Sequence, residues 1–304
     1  MKSLNDWKRQ FQESSWLLGI CENGFNDLKE NRIHWIDNGK YNGNKWFADP
    51  FILEYDDNQI TLLVEEFDYR VHRGRLARLT IDRMLWKVRE CKIILNLPTH
   101  LSFPMIWREG ERIFVCPENH ASGKFDLYEY NRNTDELLFL KPLIKEKLTD
   151  ATIYHDRMGY YILSTYEPTP NGKVLTIYKS DNLFDEYKQM QCISFEENIA
   201  RNAGRLFEYR GKLIRPAQEC NHTYGHAISF QEMTRNGNDF KFKEIYRYLS
   251  THPSYKFGSH TFNEYNGMAV IDVKGFRYDV LGRCFYYLQR LAIRLHLKKE
   301  IWLK

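Results

Sequence analysis

Short runs of alternating hydrophobic and polar residues fill most of the chain, and polar turn segments separate these runs. Five segments share one plan, in which a polar or proline-containing anchor precedes a strand, a tight turn and a second apolar strand. In the first segment Asp49 and Pro50 form the anchor, residues 56–58 the turn and residues 60–66 the second strand. Alternation with a period of two predicts strands rather than helices.

The anchors recur at positions 49, 103, 150, 202 and 260, so that neighbouring anchors are 47 to 58 residues apart. A repeat near 50 residues that consists of strands and hairpin turns is typical of a β-propeller. Further apolar runs at 75–81, 125–130 and 174–178 supply third strands. We therefore predict an all-β chain with a five-bladed β-propeller over residues 46–279. An irregular β-sandwich with accidental spacing is the alternative.

The two ends of the chain differ from the repetitive middle. Residues 1–45 are interpreted as an N-terminal extension with one short helix and a strand near residues 16–21 that helps to close the ring. Residues 277–304 contain seven basic and two acidic residues, with leucines at helical spacing. They predict a basic amphipathic helix over 280–304. Such a helix suits an anionic membrane surface, and packing on the propeller or on a second subunit is the alternative.

The composition narrows the class of protein. Of the 304 residues, 43% are hydrophobic and 28% are charged, which is typical of a soluble globular protein and excludes a disordered chain or a multi-span membrane protein. A net charge of +4 is too small to indicate nucleic-acid binding. The six cysteines form no Cys-x-x-Cys pair and no signal peptide is recognised, so we expect free thiols and a cytoplasmic location, peripheral to the inner face of the membrane if the helix binds lipid.

In a propeller the first strand of each blade lines the axis, and its start meets the end of the second strand at one mouth. The first-strand starts are Asp49, Phe103, Asp150, Asn202 and His260. The second-strand ends are Glu65, Glu66, Glu118, Asn119, Tyr166, Glu167, Gln218, Glu219 and Asp272, and Arg201, Arg205 and Arg215 are expected beside them. Acids repel one another unless they bind a cation, a sugar or a positive partner. The alternative is that each acid caps its own hairpin.

Several short motifs resemble those of five-bladed propellers in glycoside hydrolase family 43. The match is closer to the propeller group described as the N-terminal domain of glucosamine inositolphosphorylceramide transferase, whose bacterial single-domain members occur around surface-polysaccharide biosynthesis. The similar stretches are residues 46–51, 64–67, 101–104, 117–118, 150–152, 201–205, 215–218 and 259–261. They span about residues 46 to 275.

The resemblance to family 43 implies roles for three acidic positions. Asp49 matches the general base and Asp150 matches the carboxylate that orients and tunes the acid. Asn202 stands where the family has its general acid, a glutamate, and an amide cannot donate a proton as a carboxylic acid does. Glu118 or Glu219 would then act as the acid. His260 resembles a histidine that points at an axial ion, often calcium, for which axial water is the alternative.

From these observations we expect an enzyme that acts on glycosyl residues in surface-polysaccharide biosynthesis. Its substrate would be a glycan, a lipid-linked glycan or a nucleotide sugar. No Asp-x-Asp or glycine-rich phosphate motif is present, and the spacing of His222 and His226 does not indicate zinc. The expected catalytic residues are Asp49, Asp150, Glu118 and Glu219. The expected substrate-binding residues are Glu66, Arg201, Asn202, Arg205, Arg215, Gln218, His260 and Asp272, in which the arginines would bind an anionic group. A non-catalytic glycan-binding or scaffold propeller and an inverting glycosidase are the alternatives.

Overall fold

The structure is a computed structural model that describes residues 14–166, 168–276 and 278–295. Within these residues, the strands form five four-stranded antiparallel sheets, and each sheet begins with a strand beside a common axis. The sequence prediction of a five-bladed β-propeller is therefore confirmed. The third strands predicted at 75–81, 125–130 and 174–178 are also present, each in its own blade.

Four blades are formed by consecutive strands. Blade 1 contains β3 (Lys45–Tyr55), β4 (Gln59–Asp68), β5 (Arg73–Asp82) and β6 (Lys87–Leu95). Blade 2 contains β7 (Ser102–Glu109), β8 (Arg112–Glu118), β9 (Phe125–Asn131) and β10 (Glu136–Ile144). Blade 3 contains β11 (Leu148–Asp156), β12 (Gly159–Tyr166), β13 (Val174–Ser180) and β14 (Lys188–Ser194). Blade 4 contains β15 (Phe207–Tyr209), β16 (Lys212–Glu219), β17 (Ala227–Asn236) and β18 (Asp239–Tyr248).

The fifth blade joins the two ends of the chain and closes the ring. Its strands are β19 (Phe262–Tyr265), β20 (Met268–Gly275), β1 (Ser15–Cys21) and β2 (His34–Trp35). The register of β1 on β20 places Trp16 opposite Lys274. A short helix, α1 (Gly24–Lys29), follows β1 and buries Phe25 and Leu28. The segment predicted as an extension therefore supplies two strands of the propeller.

The inner strands of blades 1, 2 and 3 begin with the same β-bulge, at Asp49, Phe103 and Asp150. Each of these residues has a positive φ, of 50°, 42° and 46° respectively. A left-handed backbone costs a residue with a side chain about 1–2 kcal/mol. The cost is offset because each bulge N–H donates to a buried carboxylate: Asp49 to Asp272, Phe103 to Asp49, and Asp150 to Glu118. Three of the predicted site acids thus support the backbone at the mouth.

Apolar side chains pack between neighbouring sheets and hold the inner strands in place. The largest cluster joins blades 1, 2 and 3, and another joins blades 4 and 5. Gly204 allows the chain of blade 4 to approach blade 5, because a Cβ at this position would lie 1.9 Å from the Phe262 carbonyl oxygen. The five inner strands are therefore fixed close to the axis.

The last described element is the helix α2 (Asp279–Arg294), and the rest of the predicted helix, residues 296–304, lies outside the described residues. Only a small part of α2 contacts the propeller: Gly282 packs on Phe276, and Tyr286 contacts the rings of Phe257 and Phe276. Most other apolar residues of the helix are exposed. Within the described residues, no helix has the length and apolar character that a membrane crossing requires.

Candidate functional site at the propeller mouth

Asp272, on β20, is the hub of the polar network at the mouth. Its carboxylate accepts the backbone N–H groups of Asp49, His260 and Thr261 at 3.0–3.1 Å, and it accepts Nδ1–H of His260 at 2.8–2.9 Å. All of these groups are buried. Asp272 therefore links the starts of the inner strands of blades 1 and 5.

Asp49 lies next to this hub with both carboxylate oxygens in use. Oδ1 accepts the Thr261 hydroxyl at 2.7 Å and lies 3.7 Å from Nε2 of His260, while Oδ2 accepts the Phe103 amide at 3.1 Å. Burial raises the pKa of Asp49 to about 6, although the charge of His260 opposes the shift. The pKa of His260 is raised, because the charges of Asp272 and Asp49 outweigh the effect of burial.

Arg201 joins Asp150 and Glu118 across blades 2, 3 and 4. Its Nε donates to Asp150 at 2.6 Å, its Nη2 to Glu118 at 3.4 Å and its Nη1 to Asn171 at 2.8 Å. Glu118 also interacts with Nδ1 of His120 at 2.8 Å. One arginine thus connects two of the predicted catalytic carboxylates.

The two carboxyl groups on Arg201 differ in proton affinity. Burial raises the pKa of Asp150 well above its usual range, although Arg201 opposes this shift, and the neighbouring charge of Glu118 adds to it. Burial also acts on Glu118, but His120 and Arg201 outweigh it and hold the pKa of Glu118 below its usual range. Oδ1 of Asp150 is buried and has no hydrogen-bond partner among the residues that the structure describes. Of the pair, Asp150 is the group that more readily keeps a proton.

Asn202 lies in the wall of the propeller rather than at its opening. Its Nδ2 donates to the carbonyl oxygens of Asp150 and Leu163, and its Oδ1 accepts Nε–H of Arg215 at 2.8 Å. Gln218 donates to Asp150 at 2.6 Å and to the Asn202 carbonyl oxygen at 2.9 Å. Asn202 and Gln218 are fully buried. Both therefore position Asp150 and blade 4 in this structure.

Arg215 is also fully buried and lies behind the mouth. It donates to neutral acceptors, including Oδ1 of Asn202, Oε1 of Gln231 and the Ala200 carbonyl oxygen. Burial lowers the pKa of Arg215 to about 9. The expected contact of Arg215 with an anionic ligand is not possible in this arrangement, because the guanidinium is enclosed by protein.

Arg205 lies in a different place from that expected. Its guanidinium is over the ring of Trp107, with 5.8 Å between Cζ and the ring centroid, and it is close to Arg108 and Tyr265. Trp107, Arg108 and Tyr265 lie near the C-terminal ends of the inner strands β7 and β19, which are at the end of the axis opposite the mouth. The prediction that Arg205 shares a site with Arg201 is therefore corrected.

Glu66 and Glu219 have local partners. Glu66 accepts two hydrogen bonds from Arg75 at 2.9 Å and also bonds to Lys45, so its charge is balanced within blade 1. Glu219 accepts the Asn221 amide at 2.5 Å, as a cap of its own hairpin. Both side chains are buried and have partners in their own blades, whereas Glu65 and Glu118, which are also buried, pair with the histidines at the opening.

The sequence reasoning missed several residues at the opening. Trp16 stacks on the ring of His260, with 3.7 Å between centroids, and Tyr224 meets His260 edge-on. Lys274 lies near both aromatic rings, and burial lowers its pKa to about 8. Lys274 stands two residues after Asp272 on β20, so strand alternation could have placed it at the mouth. Trp16 and Tyr224 arrive from distant parts of the chain, and no local pattern indicates them.

Two histidines at the opening pair with the outer acids. His100 lies 3.2 Å from Glu65, and His120 follows Glu118 by two residues and contacts it. The Tyr166 side chain at the end of β12 is 41% exposed, whereas Glu118 is 6% exposed. We call Glu65, His100, Glu118, His120, Tyr166 and Arg201 the outer ring. Of these side chains, Tyr166 is exposed, His100, His120 and Arg201 are partly exposed, and Glu65 and Glu118 are buried.

The residues at the axis offer few ligand atoms for a metal ion. Among the described residues, Asp49, His260 and Asp272 have potential ligand atoms within 4.8 Å of one another. Calcium prefers six to eight oxygen ligands, whereas this group offers two carboxylates and an imidazole. Both carboxylates already accept N–H or O–H groups. These residues do not fit calcium, and the calcium prediction gains no support from them.

Comparison with known proteins identifies the chain's family. The sequence model of the family described as "Glucosamine inositolphosphorylceramide transferase 1, N-terminal" matches residues 34–277. The chain belongs to this family. The matched span begins in β2 and includes every residue of the mouth network except those on β1. The family resemblance that the sequence motifs indicated is therefore confirmed.

Two of the curated relatives carry the name glucosamine inositolphosphorylceramide transferase 1. The Arabidopsis thaliana protein is 26% identical over 231 residues, which are 73% of this chain and 29% of the relative. The Oryza sativa subsp. indica protein is 26% identical over 216 residues, which are 68% and 28% respectively. The chain thus spans less than a third of the length of these relatives.

Solved structures share the fold at low sequence identity. A family 117 glycoside hydrolase from Zobellia galactanivorans has a TM-score of 0.51 and 8% identity, and the match covers 89% of this chain and 93% of that one. A family 43 protein from the xyloglucan locus of Bacteroides ovatus also has a TM-score of 0.51, with 12% identity over 72% and 46% of the two chains. These likenesses support the propeller fold and nothing finer.

Proposed function

We propose that the mouth of this propeller recognises a glycan through its outer ring and does not act as an inverting glycosidase. The proposal rests on the residues at the three positions that match the catalytic acids of family 43. Asp49 and Asp150 are buried and hydrogen-bonded within the protein, and Asn202 is hydrogen-bonded to the backbone of blade 3. An inverting hydrolase needs a base that is open to water and a separate acid. The outer ring instead offers charged hydrogen-bonding groups and an exposed aromatic side chain, which suit a sugar.

The charge at the mouth favours a neutral or amino-substituted sugar over an acidic one. The acids Asp49, Glu65, Glu118 and Asp272 outnumber the nearby basic groups Arg201, His260 and Lys274, while Asp150 more readily keeps a proton. Carboxylates accept hydrogen bonds from sugar hydroxyls and from ammonium groups. The relatives' name refers to glucosamine, and an amino sugar fits this charge balance. This choice replaces the anionic group that the sequence led us to expect.

The biological setting that we propose is the assembly of surface glycans. The chain shares its family with proteins that are named as transferases of glucosamine. This membership supports a role in recognising the substrate of a glycosyl transfer, and the complete ligand would be a lipid-linked glycan or a nucleotide sugar. The cytoplasmic location expected from the sequence stays a prediction.

Binding without hydrolysis is the expected behaviour of the wild-type protein. On an array of neutral, amino and acidic oligosaccharides, we expect retention of amino or neutral glycans and no release of free sugar from them. Tyr166→Ala should weaken this binding about 2- to 12-fold, because an aromatic contact contributes about 0.5–1.5 kcal/mol. The control is Met158→Ala, at an exposed turn. Equal binding by Tyr166→Ala and wild type would remove the outer ring from recognition.

A glycosyl-transferring or hydrolysing enzyme is the second candidate, and one observation favours it. Asp150 has a raised pKa and an oxygen without a protein partner, as a proton donor requires. Sugar release by the wild type, abolished in Asp150→Asn, would establish this candidate. In that variant the remaining oxygen still accepts from Arg201 and Gln218, so the fold is expected to persist.

We also propose that α2 binds an anionic membrane surface. Leu281, Leu288 and Leu295 are 50–60% exposed and follow one stripe of the helix at seven-residue spacing. The sequence of the same helix also contains arginines at positions 283, 290 and 294. A helix with exposed apolar residues beside basic ones lies in the interface of anionic bilayers. Its small contact with Phe276 leaves that surface open.

Vesicle binding should depend on the exposed leucines of α2 and on the positive charge of its sequence. Leu288→Glu is expected to lower binding to phosphatidylserine-containing vesicles about tenfold or more, because it removes about 1.5 kcal/mol of apolar burial and adds a repelled charge. Salt should release the wild-type protein. The control is Leu138→Glu, on the exposed outer strand of blade 2. If flotation with vesicles is the same for wild type and Leu288→Glu, the exposed face serves another partner.

A further inference from the structure

Two arginines meet at the end of the axis opposite the mouth, and neither pairs with an acid among the described residues. Arg108 is the next-to-last residue of β7, and Arg205 lies two residues before the inner strand of blade 4. Arg108 reaches past blade 1 to the ring of Tyr265 in blade 5, with 3.9 Å between Cζ and the ring centroid. Arg205 reaches the ring of Trp107 in blade 2. Both side chains thus cross the axis.

The hydrogen-bonding capacity of this pair is largely unused. Arg108 donates from Nη2 to the carbonyl oxygens of Ile52 and Leu53 at 2.9 and 2.7 Å, while its Nε is buried and has no partner within residues 14–166, 168–276 and 278–295. In the part of the chain that the structure describes, the Arg205 guanidinium makes no hydrogen bond, and neither arginine has a carboxylate oxygen within 4.0 Å. Buried cations are ordinarily paired or hydrogen-bonded.

The acids near this end already have other partners. Glu109 accepts Trp107 Nε1–H at 3.3 Å and the Tyr160 hydroxyl at 2.6 Å. Glu54 is more than half exposed and lies 3.9 Å from Arg132. Burial and, to a smaller extent, repulsion by Arg108 lower the pKa of Arg205 to about 10. An anion between the two guanidinium groups would relieve both the repulsion and the unused donors.

We propose that Arg108 and Arg205 form an axial site for an oxyanion, such as a phosphate or carboxylate group, at the end of the propeller opposite the glycan mouth. The planar guanidinium fork matches the oxygens of both groups. Arg108, Arg205 and Tyr265 are each partly exposed, so a small anion can enter from solvent. This site is independent of the glycan proposal, because it shares none of the outer-ring residues.

Inorganic phosphate and acetate are the probes, each compared with sodium chloride at equal ionic strength. Phosphate, acetate or both should raise the melting temperature of the wild-type protein. Arg205→Gln should weaken the affinity at least tenfold, whereas Arg157→Gln, at an exposed turn, should retain it. Without the anion, Arg205→Gln should melt no lower than wild type, because it removes a repulsive neighbour.

Arg205→Lys serves if the glutamine variant does not fold, and it should show an intermediate affinity because it keeps the charge and loses the fork. The proposal is overturned if neither anion shifts the melting temperature of the wild type relative to chloride. It is also overturned if Arg205→Gln and Arg205→Lys keep the full shift, or if Arg157→Gln loses it equally.

Discussion

Asp272→Asn is expected to lower the free energy of unfolding by about 3–5 kcal/mol, since it removes the nearer of the two carboxylates beside the buried His260. The carboxylate of Asp272 also accepts the backbone N–H groups of Asp49 and Thr261. An asparagine of the same shape would turn an NH₂ group towards some of these donors. Because the hub joins blades 5 and 1, the loss affects ring closure.

The size of this loss should depend on pH. The pKa of His260 is raised in the folded protein, so its contribution to stability is fully present below its ordinary value of 6.5 and is lost as the pH rises through the raised value. Urea denaturation of both proteins should therefore show a larger difference at pH 6 than at high pH. Asp239→Asn, at the exposed start of β18, is the control. A difference below about 1 kcal/mol at pH 6 would show that Asp272 is not a hub.

The fold was predictable because its repeat is local. Each anchor, turn and second strand lies within about 20 residues, so periodicity and turn residues indicated the blades before any contact between them was known. The bulges at Asp49, Phe103 and Asp150 were not predictable. Their positive φ angles depend on carboxylates from neighbouring blades, such as Asp272 and Glu118, and not on the local sequence.

The site was predictable as a set of positions but not as a set of roles. Strand ends correctly brought Asp49, Asp150 and His260 to one mouth, because antiparallel geometry fixes where strands begin. Sequence spacing does not indicate towards which end of the axis a side chain extends. The prediction therefore grouped Arg205 with Arg201, although the two side chains extend towards opposite ends of the axis. Whether a carboxylate is free or hydrogen-bonded depends on three-dimensional packing.

Glu118→Gln is expected to weaken glycan binding about 10- to 100-fold. A hydrogen bond to a charged group contributes about 1.5–3 kcal/mol, and Glu118 is an outer-ring acid whose pKa lies below its usual range, so it is ionised at neutral pH. Glutamine keeps the length of the side chain and one carbonyl oxygen for the Asp150 amide. The melting temperature of the variant should show that the blades remain folded.

Isothermal titration with the tightest-binding oligosaccharide from the array tests recognition at the mouth most directly. Wild type, Glu118→Gln and the control Glu208→Gln, an exposed residue of β15, are compared in the same buffer. We expect the wild type and Glu208→Gln to bind equally and Glu118→Gln to bind at least tenfold more weakly. Equal affinity of Glu118→Gln and wild type, or an equal loss in Glu208→Gln, would contradict recognition at the mouth.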